Sequence, residues 1–351
     1  MRIALVLSSS INNSPYVRNY TNILEQRGLA YDIICWNKDG NADVNNFTYN
    51  KYSPLQQNPF SKIIDYFGYT KYVVSVLKSN KYDKIIVFTI IVGVFLNSYL
   101  KKKFSNNYII DIRDYTFFMK FLKKNVRQLI SNSFSTVISS QGFSTWLGDY
   151  KKNFFISHNF NFEGKRNEKD EKIFGNEKLT ILTIGSLRDY DANINLINAF
   201  KNSNNVNLHY VGDGIAYKPL KNYCVENKVL NVIFFGRYQK EDELKYLKSV
   251  SLMNIFLEED LNSRTLMSNR FYLALNNFIP IIVNNNSFQG ELVEKYKLGV
   301  VIKNPKQLDI EVSDYIKKFN EDEFKNGCQE FFKDIQKDEA AFREMLMNYL
   351  N

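Results

Sequence analysis

The chain has 351 residues, of which 44% are hydrophobic and 15% aromatic, and it carries a formal net charge of +9. The length corresponds to two domains of ordinary size, and the apolar content excludes a wholly disordered chain. Its three cysteines are odd in number and lack Cys-x-x-Cys spacing, which favours reduced thiols in a cytoplasmic protein.

In the first half, short apolar runs alternate with longer amphipathic stretches, as is typical of parallel β/α layers. The first run follows a single positive charge and is too short for the core of a signal peptide, so it predicts a strand. The run at residues 85–96 has 12 residues; because a membrane helix needs roughly 20, it predicts a core strand that leads into a helix. The strands predicted in this half are residues 3–7, 31–35, 84–88, 108–112 and 136–139.

A polar stretch with mixed charges at residues 161–178 interrupts this pattern and is typical of an interdomain linker. The pattern then resumes, with strands predicted at residues 179–184, 207–211, 232–235, 253–257 and 279–283. We therefore expect an amino-terminal domain over residues 1–162 and a second domain over residues 163–335. A final helix over residues 336–351 is expected to pack back on the first domain.

Three predicted strands of the second half end in glycine-containing turns: Gly185-Ser186, Gly212-Asp213-Gly214 and Gly236-Arg237. Ligands of open α/β sheets bind at the carboxyl ends of strands, so these turns are candidate ligand sites, although tight βα turns favour glycine without any ligand. The sequence contains neither Gly-x-Gly-x-x-Gly after the first strand nor a P-loop. This disfavours a dinucleotide oxidoreductase and a P-loop ATPase.

Residues 268–283 read as a short apolar helix with a polar start, followed by a turn and a buried strand. Ser268 or Asn269 can cap the helix, and Arg270 lies in its first turn, where an arginine opposes the helix dipole. We therefore expect an outside partner for Arg270, either a carboxylate or an anionic ligand such as a phosphate at the helix N-terminus.

Taken in order, these turns and this helix resemble the nucleotide-binding domain of GT-B glycosyltransferases, particularly the family 4-like group. The resemblance runs over residues 179–302. It rests on Gly185-Ser186-Leu187-Arg188, Val211-Gly212-Asp213-Gly214, Phe235-Gly236, Asn269-Arg270 and Pro280. In the first half, Asp111-Ile112-Arg113-Asp114 is similar to the Asp-Ile-Arg-Asp of bacterial cell-surface polysaccharide transferases, and Val137-Ile138-Ser139 and Ile156-Ser157-His158-Asn159 stand at matching places.

The resemblance implies a GT-B fold, an α/β architecture with two Rossmann-like β/α/β domains facing a central cleft. It implies that a nucleotide-sugar, with a UDP-sugar favoured, binds the second domain and that the acceptor enters over the first. Arg188 and Arg270 would then stabilise the charge of the leaving diphosphate, with no metal ion or other cofactor. The expected donor-binding residues are Gly185, Ser186, Arg188, Gly212, Asp213, Gly214, Arg237, Arg264, Ser268, Asn269 and Arg270.

The neighbourhood of Arg188 leaves another interpretation open. Arg188 can instead pair with Asp189 or Asp191, since surface ion pairs are common. Asp189-Tyr190-Asp191 also spells Asp-x-Asp, the metal motif of a different transferase fold. Because it follows a strand in a wound sheet, we expect no metal site there.

The first half is expected to contact the acceptor. The residues concerned are Pro15, Tyr16, Arg18, Asp111, Arg113 and Asp114, of which Asp114 is counted with Arg188 and Arg270 as a catalytic candidate. An internal ion pair among Asp111, Arg113 and Asp114 is the alternative. Of the two histidines, His158 and His209, neither falls where many relatives keep an active-site histidine. A retaining transfer needs no such base, because the departing phosphate can accept the acceptor proton.

The chain departs from the family pattern at the two positions where the family has carboxylates, which are Thr265 and Leu273 here. Either that contact is missing, or Glu258, Glu259 or Asp260 supplies it. Phe278 also replaces the usual glycine of Gly-x-Pro.

The basic excess lies entirely in the first half, where residues 1–160 contain 20 Lys and Arg against 9 Asp and Glu. A helix predicted over residues 115–130 carries a cationic face made of Lys120, Lys123, Lys124 and Arg127. This face suits an anionic membrane surface, and the lysines at 101–103 add a second cluster, although an ordinary solvated helix has the same pattern. No nucleic-acid-binding motif accompanies the charge.

Together these patterns predict a hexosyl-type glycosyltransferase that extends a capsule or similar bacterial surface polysaccharide. It is expected to act at the inner face of the cell membrane on a glycan or lipid-linked acceptor. The alternative is a degenerate GT-B subunit that binds glycan without transfer, because Thr265 and Leu273 replace the carboxylates. A nucleotide-sugar 2-epimerase is disfavoured, since its carboxylate and histidine set is hard to find.

Overall fold

The computed structural model describes residues 1–38, 47–54, 57–148, 154–160, 173–175 and 178–351. The chain divides into two compact units, one comprising Met1–Asn159 and Ile335–Asn351 and the other Phe160–Asp334. Most of the linker predicted at residues 161–178 lies outside the described residues.

The first unit is built on a parallel sheet of seven strands in the order β3-β2-β1-β4-β5-β6-β7. Its strands are β1 (Arg2–Val6), β2 (Ala30–Asn37), β3 (Phe47–Asn50), β4 (Lys84–Phe88), β5 (Tyr108–Ile112), β6 (Ser135–Ile138) and β7 (Phe154–Ile156). Its helices are α1 (Arg18–Gln26), α2 (Pro59–Ser79), α3 (Ile90–Lys103), α4 (Lys123–Asn132) and α5 (Ser144–Leu147).

The second unit is built on a parallel sheet of six strands in the order β10-β9-β8-β11-β12-β13. Its strands are β8 (Leu179–Ile184), β9 (Val206–Val211), β10 (Val232–Gly236), β11 (Leu252–Ile255), β12 (Ile281–Asn284) and β13 (Gly299–Ile302). Its helices are α6 (Tyr190–Phe200), α7 (Tyr217–Glu226), α8 (Leu261–Thr265), α9 (Asn269–Asn276), α10 (Phe288–Tyr296) and α11 (Leu308–Lys317). The last helix, α12 (Glu321–Leu350), contributes residues to both units.

Both sheets are wound as the apolar runs predicted, and the α/β class is confirmed. Central strands such as β5 are buried along their whole length, because helices cover both faces of a parallel sheet. The apolar run at residues 85–96 forms β4 and then the start of α3, as expected. The pattern failed to predict β3, β7 and β13. β3 is a half-buried edge strand with two polar residues, whereas β7 and β13 are apolar but only three and four residues long. Runs this short do not indicate a strand by periodicity alone.

The carboxyl-terminal part of α12 packs on the first sheet together with α1. Phe342, Leu346 and Tyr349 are buried in the same core cluster as Tyr20 and Phe88. The Tyr349 hydroxyl also lies 3.0 Å from the backbone nitrogen and the backbone oxygen of Ile85. The last turns of the chain are therefore an integral part of this core.

The helix predicted over residues 115–130 is not continuous, which corrects that expectation. A 3-10 turn at Phe117–Lys120 precedes α4, which begins at Lys123. Residues 117–122 are apolar at every position except Lys120, and so many apolar side chains cannot share one face of a helix. Lys120, Lys123, Lys124 and Arg127 are nevertheless all exposed.

No helix among the described residues is both long and apolar enough to cross a membrane. The three cysteines are buried and unbridged.

Candidate functional site

In the second unit, the turn after β8 brings together two of the arginines that the sequence singled out. Arg270, in the first turn of α9, donates from Nε to the backbone oxygen of Ile184 at 2.5 Å and from Nη2 to that of Ser186 at 2.8 Å. Arg188 donates from Nε to the Ser186 hydroxyl at 3.0 Å. One residue, Ser186, thus contacts both guanidinium groups.

Where a carboxylate or an anionic ligand was expected beside Arg270, its guanidinium group contacts two backbone carbonyls. Throughout the described part of the chain, no carboxylate oxygen lies within 4.0 Å of the Arg270 or Arg188 guanidinium nitrogens. Burial lowers the pKa of Arg270, and the nearby charge of Arg188 lowers it further, although Asp189 opposes the shift. The two cations are therefore held close together, and neither forms a direct ion pair with a described carboxylate.

Arg188 does not form the alternative ion pair with Asp189 or Asp191. The two aspartates instead lie near the segment after β11: Asp189 Oδ1 accepts a 3.4 Å hydrogen bond from the backbone nitrogen of Glu258, and Glu258 Oε1 accepts one of 3.1 Å from that of Asp191. This leaves the exposed Arg188 guanidinium available to an anion.

Glycine is required in these turns for different physical reasons. A Cβ on Gly212 would lie 1.9 Å from the Gly185 backbone oxygen, and one on Gly214 would lie 2.3 Å from the Leu187 backbone oxygen. Gly212 and Gly214 are therefore needed because the turn after β9 packs directly against the turn after β8. Gly185 has a φ of +99° with no heavy atom within 4 Å of its Cβ position. Space for a ligand is thus found at Gly185, between the two residues whose carbonyls bind Arg270.

Of the two caps that the sequence allowed for α9, Ser268 and Asn269, the structure uses Ser268. Ser268 Oγ accepts a hydrogen bond of 3.3 Å from the backbone nitrogen of Arg270, and Gln289 Oε1 accepts one of 3.0 Å from that of Ser268. Asn269 is the exposed first residue of the helix. The remaining backbone N–H groups of this first turn add partial positive charge beside the arginines.

The other two arginines expected at the donor have carboxylate partners. Arg237 Nε lies 2.8 Å from Asp213 Oδ2, and Arg264 Nη2 lies 2.8 Å from Glu259 Oε2. The hydrogen bond from Arg237 lowers the pKa of Asp213. Because both pairs are exposed, they are individually weak, but each partly neutralises its arginine.

Thr265 and Leu273 stand where the family pattern has carboxylates, and the three neighbouring carboxylates each have another partner. Thr265 is buried and its hydroxyl donates to the Leu261 backbone oxygen at 2.8 Å, while Leu273 is half-buried. Of the substitutes considered, Glu259 binds Arg264, and Asp260 caps α8 through Ser263. Glu258 is exposed, and its carboxylate accepts a hydrogen bond from the backbone nitrogen of Asp191 at the start of α6. Of the three carboxylates, Glu258 is thus the one that is hydrogen-bonded to the segment following Arg188.

Phe278 shows why glycine is usual at its position. Its φ is +49°, in the left-handed region that costs an L-residue about 1–2 kcal/mol. The side chain is buried, so the apolar contacts of Phe278 offset that cost.

In the first unit, Asp111 and Arg113 form a buried ion pair at the end of β5. Arg113 Nη2 lies 2.5 Å from Asp111 Oδ2, which also accepts a 2.6 Å hydrogen bond from the Tyr20 hydroxyl. Arg113 Nη1 donates to the Ser157 backbone oxygen at 2.8 Å and to Asn159 Oδ1 at 2.9 Å. Desolvation opposes the charge of Arg113, but Asp111 outweighs it, and the pKa of Arg113 is raised.

This geometry corrects the expectation that Asp111 and Arg113 contact an acceptor. Both side chains are buried, and their polar atoms face one another and the segment after β7. The internal ion pair named as the alternative is what forms. Tyr20, Ser157 and Asn159 belong to the same network. Tyr20 carried no signal in the sequence, and the resemblance marked the segment of Ser157 and Asn159 without indicating that it binds Arg113, because this pairing joins chain segments far apart.

The remaining acceptor candidates lie at the surface of the first unit. Pro15, Arg18 and Asp114 are exposed, and the half-buried Tyr16 ring covers the Arg113 guanidinium at 4.4 Å from its centroid. Burial raises the pKa of Tyr16; the charges of Asp111 and Asp114 add to the increase, and Ser14 and Arg113 oppose it. The buried pair thus supports Tyr16 from below.

The two histidines lie outside these groups. His158 is buried, and its Nε2 lies 3.0 Å from Asp338 Oδ2 of α12. His209 lies on β9, where burial lowers its pKa and its ring packs 5.2 Å from that of Phe235. Among the residues that the structure describes, no group of three or more His, Cys, Asp or Glu side chains is arranged to hold a metal ion.

Comparison with known proteins identifies the architecture. No protein-family model matches the sequence, and no curated protein is similar enough to count as a relative. Solved structures do match. Sucrose-phosphate synthase from Thermosynechococcus elongatus has a TM-score of 0.67 at 12% identity, covering 100% of this chain and 95% of its own.

Two further structures extend the match. HepE from Anabaena, solved in complex with UDP, has a TM-score of 0.69 at 13% identity, covering 99% of this chain and 100% of its own. The lipopolysaccharide outer core galactosyltransferase WaaB has a TM-score of 0.62 at 15% identity, covering 96% of this chain and 99% of its own. The chain therefore has the GT-B fold, as the resemblance predicted.

The close approach of the two turns predicts different outcomes for two glycine substitutions. Gly185→Ala should lower the free energy of unfolding by about 1–2 kcal/mol, because only the positive φ opposes alanine there. Gly212→Ala should lower it by more, because its Cβ also collides with a backbone oxygen. Urea denaturation of both variants measures the difference. Equal losses would show that the turns do not pack as described.

The buried ion pair predicts the effect of removing one partner. Arg113→Met leaves the Asp111 carboxylate buried without its cation and should lower the free energy of unfolding by about 3–5 kcal/mol. Arg18→Met, at an exposed site, should change it by less than about 0.5 kcal/mol. Urea denaturation measures both, and an Arg113→Met loss as small as that of the control would contradict the buried pairing.

Proposed function

We propose that this protein is a glycosyltransferase that uses a nucleotide-diphosphate sugar, with a UDP-sugar favoured, and that the diphosphate binds at the turn after β8. The single observation that carries the proposal is that Arg188 and Arg270 both contact Ser186, with no carboxylate oxygen within 4.0 Å of either guanidinium group among the described residues. Two adjacent cations that are held in place without a direct ion pair favour a ligand with two negative phosphates. HepE, which shares the fold, was solved with UDP.

Two further features support this location for the diphosphate. The open space at Gly185 lets a ligand approach the backbone of the turn. The amino end of α9, with its Ser268 cap, adds N–H groups and the positive end of a helix dipole. Arg237, Arg264, Asp213 and Asn269 are assigned to the outer part of the donor site, because the two arginines already have carboxylate partners.

The chemistry that these residues support is transfer with retention of configuration. The bond between the sugar carbon and the β-phosphate oxygen breaks, and negative charge grows on the diphosphate. Arg188 and Arg270 stabilise that charge, so the group needs no other cation to leave. The departing phosphate then accepts the proton of the acceptor hydroxyl as the new glycosidic bond forms. No histidine base takes part in this scheme.

The first unit supplies the acceptor contacts in this proposal. Tyr16, Arg18, Pro15 and Asp114 remain the candidates, because they are exposed or half-buried. Asp111 and Arg113 act as positioning residues beneath Tyr16. We propose that the acceptor is a glycan or a lipid-linked glycan of a bacterial surface polysaccharide.

Substitution of Arg270 tests the proposed donor site. Arg270→Ala should weaken UDP binding about 10- to 100-fold, because one charged hydrogen bond contributes about 1.5–3 kcal/mol. It should weaken uridine binding less than about threefold. Isothermal titration calorimetry with UDP, GDP, dTDP and uridine measures this. Lys228→Ala is the charge-matched control, since Lys228 follows the carboxyl end of α7 and should leave UDP affinity unchanged.

The outcomes separate the alternatives. Equal losses for UDP and uridine would remove the assigned role of Arg270, and failure of the unmodified protein to bind any nucleotide would refute the transferase. Binding of UDP without hydrolysis or transfer of any UDP-sugar would favour a degenerate GT-B subunit. This second candidate is supported by Thr265 and Leu273, which replace the two carboxylates of the family pattern.

We propose further that the first unit contacts an anionic membrane surface. Phe60, Ile64 and Phe67 form an apolar stripe on α2 and are 77%, 65% and 52% exposed. Phe121, which is 75% exposed, stands between Lys120 and the start of α4 at Lys123. Helices that connect parallel strands run antiparallel to them. Phe60, Ile64 and Phe121, which lie near the amino ends of α2 and α4, are therefore toward one end of the helix layer, and Phe67 lies in the third turn of α2. Apolar side chains beside lysines and arginine suit a bilayer of anionic lipid.

The membrane proposal gives a prediction that distinguishes two lysine clusters. The lysines at 101–103 lie in the last turn of α3 and therefore at the other end of the layer. Phe60→Ser/Phe67→Ser and Lys123→Glu/Lys124→Glu should each lower binding to vesicles of phosphatidylglycerol at least about tenfold. Lys101→Glu/Lys103→Glu should have a much smaller effect. Vesicle co-sedimentation measures all three variants. If Lys101→Glu/Lys103→Glu lowered binding as much as Lys123→Glu/Lys124→Glu, the vesicles would be attracted only by the general positive charge.

A further inference from the structure

Strand β10 forms an edge of the second sheet that is not protected in the usual ways. It pairs only with β9, and no other described strand lies beside it. Exposed edge strands normally carry charges, prolines or bulges that prevent pairing. Val232-Ile233-Phe234-Phe235 has no charge and no proline, and the one irregularity in its register falls at its end, between Phe234 and Gly236.

The backbone of β10 has hydrogen-bonding groups directed away from β9. Asn231 accepts from the Leu208 backbone nitrogen at 2.8 Å, so its backbone faces β9. Because alternate residues of a parallel strand face alternate neighbours, the backbone groups of Val232 and Phe234 face the open edge. An extended chain laid along this edge could pair with them.

The side chains beside this edge differ between its two faces. On one face, Ile233 and Phe235 are 46% and 44% exposed. On the other face lies a groove of about 670 Å³ between β10 and α7, lined by Cys224, Val225, Val232 and Phe234 and by the side chains of Lys221 and Lys228. Neither lysine forms an ion pair with a carboxylate among the residues described. A partner strand would therefore meet an apolar face on one side and an apolar groove bordered by two lysines on the other.

We propose that β10 is the docking edge for an extended segment of a partner protein in which carboxylate and apolar side chains alternate. Such a segment adds a strand to the sheet by β-augmentation. Its carboxylates lie over Lys221 and Lys228, and its apolar side chains lie over Ile233 and Phe235. Alternation is required because successive side chains of a strand point to opposite faces.

Charge disfavours a second copy of this chain as the occupant. A second copy would lay its own β10, Val232–Gly236, along this edge, and that strand carries no carboxylate to pair with Lys221 or Lys228. The cationic surroundings instead match an acidic segment.

The test uses the full chain and synthetic ten-residue peptides, followed by fluorescence polarisation. The probe is an acetylated peptide of alternating valine and glutamate. One control replaces each glutamate by lysine, and a second carries N-methyl groups on its central residues, which removes backbone donors but keeps the side chains. The acidic peptide should bind at least about tenfold more tightly than either control.

Variants of the chain locate the site. Lys221→Glu/Lys228→Glu should reverse the preference between the acidic and the basic peptide, and Ile233→Lys should weaken binding of the acidic peptide at least about tenfold. Lys303→Glu/Lys306→Glu, beside the edge strand β13 at the other side of the sheet, is the matched control and should have no effect. UDP binding and urea denaturation check that each variant is folded.

Three results would overturn the proposal. Absence of binding by the acidic peptide would do so, as would equal binding of the N-methylated peptide, which would indicate an apolar groove without strand pairing. Concentration-dependent dimerisation that Ile233→Lys abolishes would show that a second copy occupies the edge. The outcome does not depend on the glycosyltransferase proposal, because none of these residues is assigned to the donor site.

Discussion

The contact on which the second unit depends is the close approach of Gly212 to the backbone oxygen of Gly185. It holds the turn after β9 against the turn after β8, and the turn after β8 in turn presents the carbonyl groups that bind Arg270. The packing of two backbone segments therefore sets the position of a cation. A side chain at either Gly212 or Gly214 would separate the turns, so glycine is needed there for packing rather than for ligand access.

The first unit uses a buried charge pair for a similar purpose. Asp111 and Arg113 are removed from solvent, and the cost of burying them is offset by the hydrogen bonds from Tyr20 and to Ser157 and Asn159. The pair joins the end of β5 to the segment after β7 and supports the Tyr16 ring. The motif that resembles the family's Asp-Ile-Arg-Asp thus builds the surface, and only Asp114 of its charged residues reaches it.

The two units carry their unusual surfaces in different places. In the first, apolar residues of α2 stand at the same end of the helix layer as the lysines of α4, which suits a lipid surface. In the second, the uncharged edge strand β10 stands beside the lysines of α7, which suits a peptide with carboxylates. Both are surfaces where cations border exposed apolar side chains, but only β10 also offers unpaired backbone groups, and that difference separates the two proposals.

The sequence by itself determined the wound α/β architecture, the main strands and the turns that hold the donor candidates, because apolar periodicity and glycine turns are local properties. The family resemblance singled out Arg188 and Arg270 from Arg237 and Arg264, but the sequence did not show which of the four arginines would have a carboxylate partner. The tertiary structure decided this by placing carboxylates beside Arg237 and Arg264. It also decided that Asp111 and Arg113 are buried, because their partners Tyr20, Ser157 and Asn159 lie far away in the chain and meet them only when the sheet is formed.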